Sequence, residues 1–122
     1  MGMTYVHMKM GRSGNGTQMR TLKFLVDSGA LYTVAPAKTL KSLGVKPHST
    51  RVFTLANGET IKRNVGDALF SYQGQKGSSP VIFGEAGDSS LLGTVTLETL
   101  GFILDPLARE LKTLPMTLVG LR

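Results

Sequence analysis

One carboxylate in this sequence stands where acid–base chemistry could use it. Residues 22–26 are an apolar, strand-like run that stops abruptly at Asp27, Ser28, Gly29 and Ala30. Such a run reads as a buried strand. An ionised Asp at its end is costly unless it is paired, hydrogen-bonded or wet. The small residues behind it let the chain turn sharply and let a ligand or a second chain come close. A carboxylate held at the floor of a cleft is what general acid–base catalysis needs. Alone, Asp-Ser-Gly is a common triplet, and an Asp in such a place often only begins a turn.

A second stretch agrees with the first. Ser89 and Ser90 lead into two large apolar residues, Leu91 and Leu92, which meet Gly93; a short helical pattern then closes at Gly101. Here the chain resembles the retropepsin-like, single-lobe aspartic proteases. Their pattern is apolar-apolar-Asp-[Ser/Thr]-Gly-Ala, then a flap, then apolar-apolar-Gly opening a helix. The resemblance runs from about residue 20 to the Asp105-Pro106 step. It is nearest to the small stand-alone microbial members, whose Gly-x-x-x-Leu-Glu-x-Leu-Gly-x-x-x-Asp-Pro tail is similar to residues 93–106.

The resemblance implies an all-β fold, a closed barrel with one or two short helices, acting as a homodimer on an extended peptide or protein substrate. It implies an aspartic endopeptidase in which Asp27, Ser28 and Gly29 are catalytic and Ala30, Asn57, Gly58, Leu91 and Leu92 lie against the substrate. No metal or other cofactor is called for. Two carboxylates a few ångströms apart cannot both ionise, and the aspartic-protease pair is the standard example of this behaviour. The ionised member takes a proton from water while the other donates to the scissile carbonyl. One shared proton predicts a bell-shaped activity profile with an optimum between about pH 4 and 6.

The count of carboxylates points to two chains. Asp88 is followed by Ser89 and Ser90 and lacks the glycine, and Asp67 before Ala68 and Asp105 before Pro106 have the wrong neighbours. One chain therefore supplies one Asp-Ser-Gly, and a dyad needs Asp27 to face its own symmetry mate. In the resembled family the hydroxyl at the Ser28 position bonds across the dimer to the partner's backbone. A hairpin placed like residues 51–65 folds over the substrate and excludes water. Two departures stand out. Retroviral members carry an acidic residue where Leu31 stands and an Arg where Thr94 stands, so both halves of that buried ion pair are absent together.

Elements must hold these residues in place. Residues 4–10 alternate and read as a half-buried strand, 11–16 as a glycine-rich loop, and residues 19–26 as the returning strand of a hairpin. Pro36 and Gly44 bracket a short helix. Residues 51–56 and 59–65 flank Asn57-Gly58, a strong hairpin turn because both residues tolerate positive φ. Residues 68–72 and 80–84 flank another turn at 73–77. Late strands are expected at 103–104 and 117–119, with a turn at Asp105-Pro106 between them. Many short strands with frequent glycine turns imply a barrel-like, all-β fold.

Composition narrows the function classes. A chain of 122 residues with 41% hydrophobic residues suits one core, so 1–122 reads as a single domain. No apolar run approaches the roughly 20 residues that span a bilayer, and residues 1–5 do not read as the start of a signal peptide. The absence of cysteine excludes disulfides and zinc–thiolate sites and leaves a cytoplasmic location as the default. His7 and His48 have no second ligand at metal spacing, and residues 11–16 lack the Lys-Ser/Thr of a phosphate loop. The net charge of +6 is scattered, with Lys62-Arg63 the densest point, which argues for no nucleic acid as the main partner. Two rival readings stay open: a dimeric peptide-binding module of the same fold without turnover, and a basic nucleic-acid-binding barrel whose affinity would depend on salt.

Overall fold

The structure, a computed structural model, describes residues 3–14 and 18–115. Strand β1 (Tyr5–Arg12) follows its period-two pattern: Val6, Met8 and Met10 are buried while Tyr5, His7 and Lys9 face out. It pairs antiparallel with β2 (Met19–Val26), Tyr5 opposite Leu25 and Gly11 opposite Met19. The strand thus continues two residues into the expected loop. The reason is a second partner, because Lys9 to Arg12 also pair with a later strand.

The remaining elements are β3 (Thr33–Pro36), α1 (Ala37–Ser42), β4 (Pro47–Thr54), β5 (Thr60–Tyr72), β6 (Gln75–Gly84), β7 (Leu91–Leu92), α2 (Thr94–Leu100), β8 (Phe102–Asp105) and β9 (Glu110–Thr113). Seven strands pair in the order β1-β2-β7-β3-β6-β5-β4, and β1 also pairs with β5. The hydrogen-bonded path therefore returns to its start, with β4 as a ribbon outside it. The described residues are mostly β with two short helices, neither of them long and apolar enough to cross a membrane.

Besides an earlier start for β6, at Gln75 and not at residue 80, three expectations change. The strands expected at 59–65 and 68–72 are one continuous strand, β5. Gly66, between them, is a point of close approach: a Cβ there would sit 2.7 Å from the Lys46 carbonyl oxygen and 3.1 Å from the Phe83 ring. The chain entering β4 passes directly over it, and β4 starts at Pro47, opposite Gly66, earlier than the expected residue 51. Second, β3 was not expected; its pairing is wholly non-local, parallel with β6 and antiparallel with β7. Third, β8 finds its partner in β9 across the Asp105 turn, where Asp105 Oδ1 accepts from the Leu107 and Ala108 amides at 3.0 and 3.2 Å. The strand expected at 117–119 lies outside the described residues.

The core is one cluster. Phe24 and Phe70 meet edge to face at 6.4 Å, with Met8, Met10, Leu40, Val81 and Leu92 fully enclosed around them. Tyr72 and Phe102 make a second edge-to-face pair at 5.2 Å and tie β8 to the sheet.

Candidate active site

Two parallel strands carry the two motifs to one place. In β2 and β7, Leu25 pairs with Leu91 and Val26 with Leu92. Asp27 and Gly93 are the next residues of neighbouring strands, although 66 positions separate them in the chain. The Asp27 amide donates to the Leu92 carbonyl at 3.1 Å, which locks the end of β2.

The turn behind Asp27 organises itself around that carboxylate. Asp27 Oδ1 accepts from the Gly29 amide at 2.9 Å, and the Asp27 carbonyl accepts from the Ala30 amide at 3.0 Å. Asp side chains favour such turns because they mimic a backbone acceptor. Asp27 is half-buried and Ser28 and Gly29 are exposed, so the carboxylate stands at a surface and not within the core. No cation among the described residues pairs with Asp27.

Gly93 is needed for a crossing of two backbones. A Cβ on it would lie 2.5 Å from the Tyr32 carbonyl carbon and 2.6 Å from the Leu31 carbonyl oxygen. That tight pass lets the first amides of α2 find acceptors: Thr94 donates to the Ala30 carbonyl at 2.9 Å and Val95 to the Leu31 carbonyl at 3.1 Å. These are amides a helix cannot satisfy internally. Backbone bonds thus join Ala30–Leu31 to Thr94–Val95.

Beneath the crossing runs a buried chain of hydroxyls. The Gly93 amide donates to Thr33 Oγ1 at 3.0 Å, Thr33 meets Thr96 at 2.6 Å, and Thr96 meets Ser79 at 2.7 Å. The Ser79 hydroxyl donates to the Pro80 carbonyl at 3.4 Å. Either hydroxyl can be the donor in the Thr33–Thr96 and Thr96–Ser79 pairs, since each carries one proton and can also accept. The chain fastens β3, β6 and α2 under the Asp27 turn.

A groove of about 660 Å³ opens beside this turn. Gly29, Ala30, Leu31 and Leu91 line one side, and Arg51 to Leu55 with Ile61 and Arg63 line it from the β4–β5 ribbon. A smaller cavity of about 290 Å³ touches Ser28 on the other side, lined largely by apolar residues of α2 and β8 such as Leu97, Phe102 and Ile103. Ser28 therefore faces a different space from Gly29 and Ala30.

The eight residues expected at the site divide into three groups. Asp27, Ser28, Gly29 and Ala30 form one turn, and Leu91 lies beside it on the groove wall. Leu92 does not reach the groove; strand alternation points its side chain into the core, where it is fully buried, and its carbonyl holds the Asp27 amide instead. Asn57 and Gly58 make the expected turn, with Asn57 Oδ1 accepting from the Glu59 amide at 2.9 Å, but both are exposed and do not line the groove. The ribbon meets the groove through its stem.

Sequence reading missed the polar wall of the groove. Arg63 binds Asp88 through Nε at 2.7 Å and Nη2 at 3.1 Å, and Glu85 lies 3.5 Å from its Nη1. The hydrogen bonds from Arg63, with help from the Glu85 amide, hold the Asp88 carboxyl below the usual carboxylate range. Arg51 donates from Nη1 to the Tyr32 hydroxyl at 2.9 Å and lies over that ring. A fork of arginine and carboxylate cannot be read from residues 25 apart in sequence without the fold that joins them.

No curated protein matches the chain. A family described as aspartyl protease, of the retropepsin-like clan, matches residues 11–96, a span that takes in Asp27 to Ala30 and Leu91 to Gly93. With that match over most of its length, the chain belongs to the retropepsin-like aspartyl protease family.

Proposed function

We propose that residues 1–122 form one domain, a single-lobe closed barrel, that hydrolyses peptide bonds as a homodimer. The observation that carries the reading is the Asp27 turn: the one Asp-Ser-Gly carboxylate of each chain, held by its own backbone at the end of β2, in a turn whose Gly29 and Ala30 line a groove of about 660 Å³. Two such turns related by a twofold axis supply the two carboxylates the chemistry needs. The ionised Asp27 removes a proton from a water, whose oxygen attacks the scissile carbonyl carbon. The protonated Asp27 of the other copy donates to the carbonyl oxygen as the tetrahedral species forms. Collapse breaks the C–N bond, and the amine leaves with the proton first taken from water. Gly29 and Ala30 shape the near wall of the groove, Leu91 adds apolar surface, and the Asn57-Gly58 tip closes over the peptide when it binds.

Digestion of an unstructured protein tests this. Hydrolysis per chain should fall on dilution, because the site exists only in the dimer. Asp27→Asn should abolish turnover while folding normally, since the amide oxygen still accepts from the Gly29 amide. Near-normal turnover in that variant places the chemistry elsewhere. Tight peptide binding by the wild type with no cleavage at any pH marks the protein as a binding module instead.

A further inference from the structure

Two arginines face each other across the stem of the ribbon. Arg51 in β4 and Arg63 in β5 are directly opposed, and both line the groove. Like charges in that arrangement repel unless one is neutralised. Arg63 is neutralised by the two-pronged contact with Asp88 and by Glu85. Both Asp88 oxygens are used in that fork, and Oδ2 also accepts from the Glu85 amide at 2.8 Å. Arg51 has no such partner: among the described residues no carboxylate pairs with it.

Arg51 is nevertheless held in place. Its Nη1 donates to the Tyr32 hydroxyl at 2.9 Å, and its guanidinium lies 5.6 Å from the centre of the Tyr32 ring. Tyr32 is itself fixed by the tight pass of its backbone over Gly93. The guanidinium thus bridges ribbon and groove wall with N–H donors to spare. Arg51 is exposed, on a groove that also carries Val34, Ile61 and Ile82. A fixed cation with open donors on a groove wall suits a planar carboxylate.

We propose that Arg51 is a specificity-determining residue and that the groove selects peptides carrying an aspartate or glutamate side chain at the position beside Tyr32. This rests on the groove being the peptide site. The net charge of +6 acts in the same direction by drawing acidic segments toward the protein.

The test uses peptides blocked at both ends, in which one position at a time carries Glu, Gln or Lys. At one fixed distance from the cleaved bond, kcat/KM for the Glu peptide should exceed that for the Gln peptide about tenfold. The preference should fade as pH drops below about 4.3, where free glutamate protonates. Arg51→Gln should bring the Glu/Gln ratio close to one, and Arg51→Glu should favour Lys. Tyr32→Phe keeps the ring but removes the acceptor, and should reduce the ratio only in part. A free C-terminus, compared with the blocked one, separates recognition of a side chain from recognition of a chain end. A ratio near one at every position, or an unchanged ratio in Arg51→Gln, overturns the inference. If the wild type cleaves none of the peptides, the peptidase reading fails. Fluorescence anisotropy on the same set then decides this one, since Glu peptides must still bind more tightly than Gln peptides to the wild type and not to Arg51→Gln.

Discussion

Replacing Thr96 by valine tests whether the buried hydroxyl chain, and not packing alone, holds the site together. Thr33 and Thr96 are fully buried and Ser79 is 3% exposed, so water cannot replace what is removed. Valine keeps the side chain's shape but deletes the bonds to Thr33 and Ser79, each contributing about 1 kcal/mol net. It also leaves the buried Thr33 and Ser79 hydroxyls short of a partner, at a further cost of about 1–2 kcal/mol. The added methyl returns about 0.8 kcal/mol through burial. The balance is a loss of about 2–3 kcal/mol. With a urea slope of about 2 kcal/mol/M, the unfolding midpoint should fall by about 1–1.5 M at fixed protein concentration. Thr96→Ser is the informative control. It keeps both hydrogen bonds and loses one methyl, at a cost of about 1 kcal/mol. Packing alone ranks valine as the milder change, whereas the hydroxyl chain ranks serine as the milder one. If Thr96→Val unfolds at the same urea concentration as Thr96→Ser, or higher, the reasoning is wrong.

Gly93→Ala forces a Cβ into backbone atoms 2.5–2.7 Å away. It should cost about 3 kcal/mol or more in urea unfolding, because these neighbours cannot rotate aside; peptide hydrolysis should fall further than the folded fraction, and an unchanged midpoint would refute the need for glycine at this crossing. Acid should weaken the fold through Asp88 and Asp105. The former is depressed chiefly by the Arg63 hydrogen bonds, the latter chiefly by the one from Lys112. Both folded-state values lie below the unfolded ones, so their stabilisation is complete above the ordinary carboxylate range and is lost as pH falls through the folded values. Urea midpoints measured from pH 6 downward should therefore drop below about pH 4, and Asp88→Asn should flatten that drop; an identical slope in the variant removes Asp88 from the account. Ser28→Ala tests a separate point, since Ser28 faces the smaller cavity and not the groove. Sedimentation should show a weaker dimer at equal concentration if its hydroxyl bonds across the interface, and an unchanged association constant would dismiss that role.

Local chemistry made the turn at Asp27 legible in advance. Asp27 to Ala30 announce a turn through residue types that act within three positions of one another, and Pro36 with Gly44 brackets a helix whose observed span is Ala37–Ser42. The Asn57-Gly58 turn is equally local, and alternation in β1 shows its buried face without any partner. Non-local pairing decided the rest. β5 is one strand because β4 pairs with it up to Gly66 and β6 from Val65 onward, and β3 exists because β6 and β7 flank it. Leu91 and Leu92 are the same residue type, yet one lines the groove and the other fills the core, because β2 and β3 fix which face β7 presents. Arg63 with Asp88, Arg51 with Tyr32, and Thr33 with Thr96 are meetings of residues 19 to 63 positions apart. A sequence states which groups can bond, but only the closed path of strands decides which of them come within 3 Å.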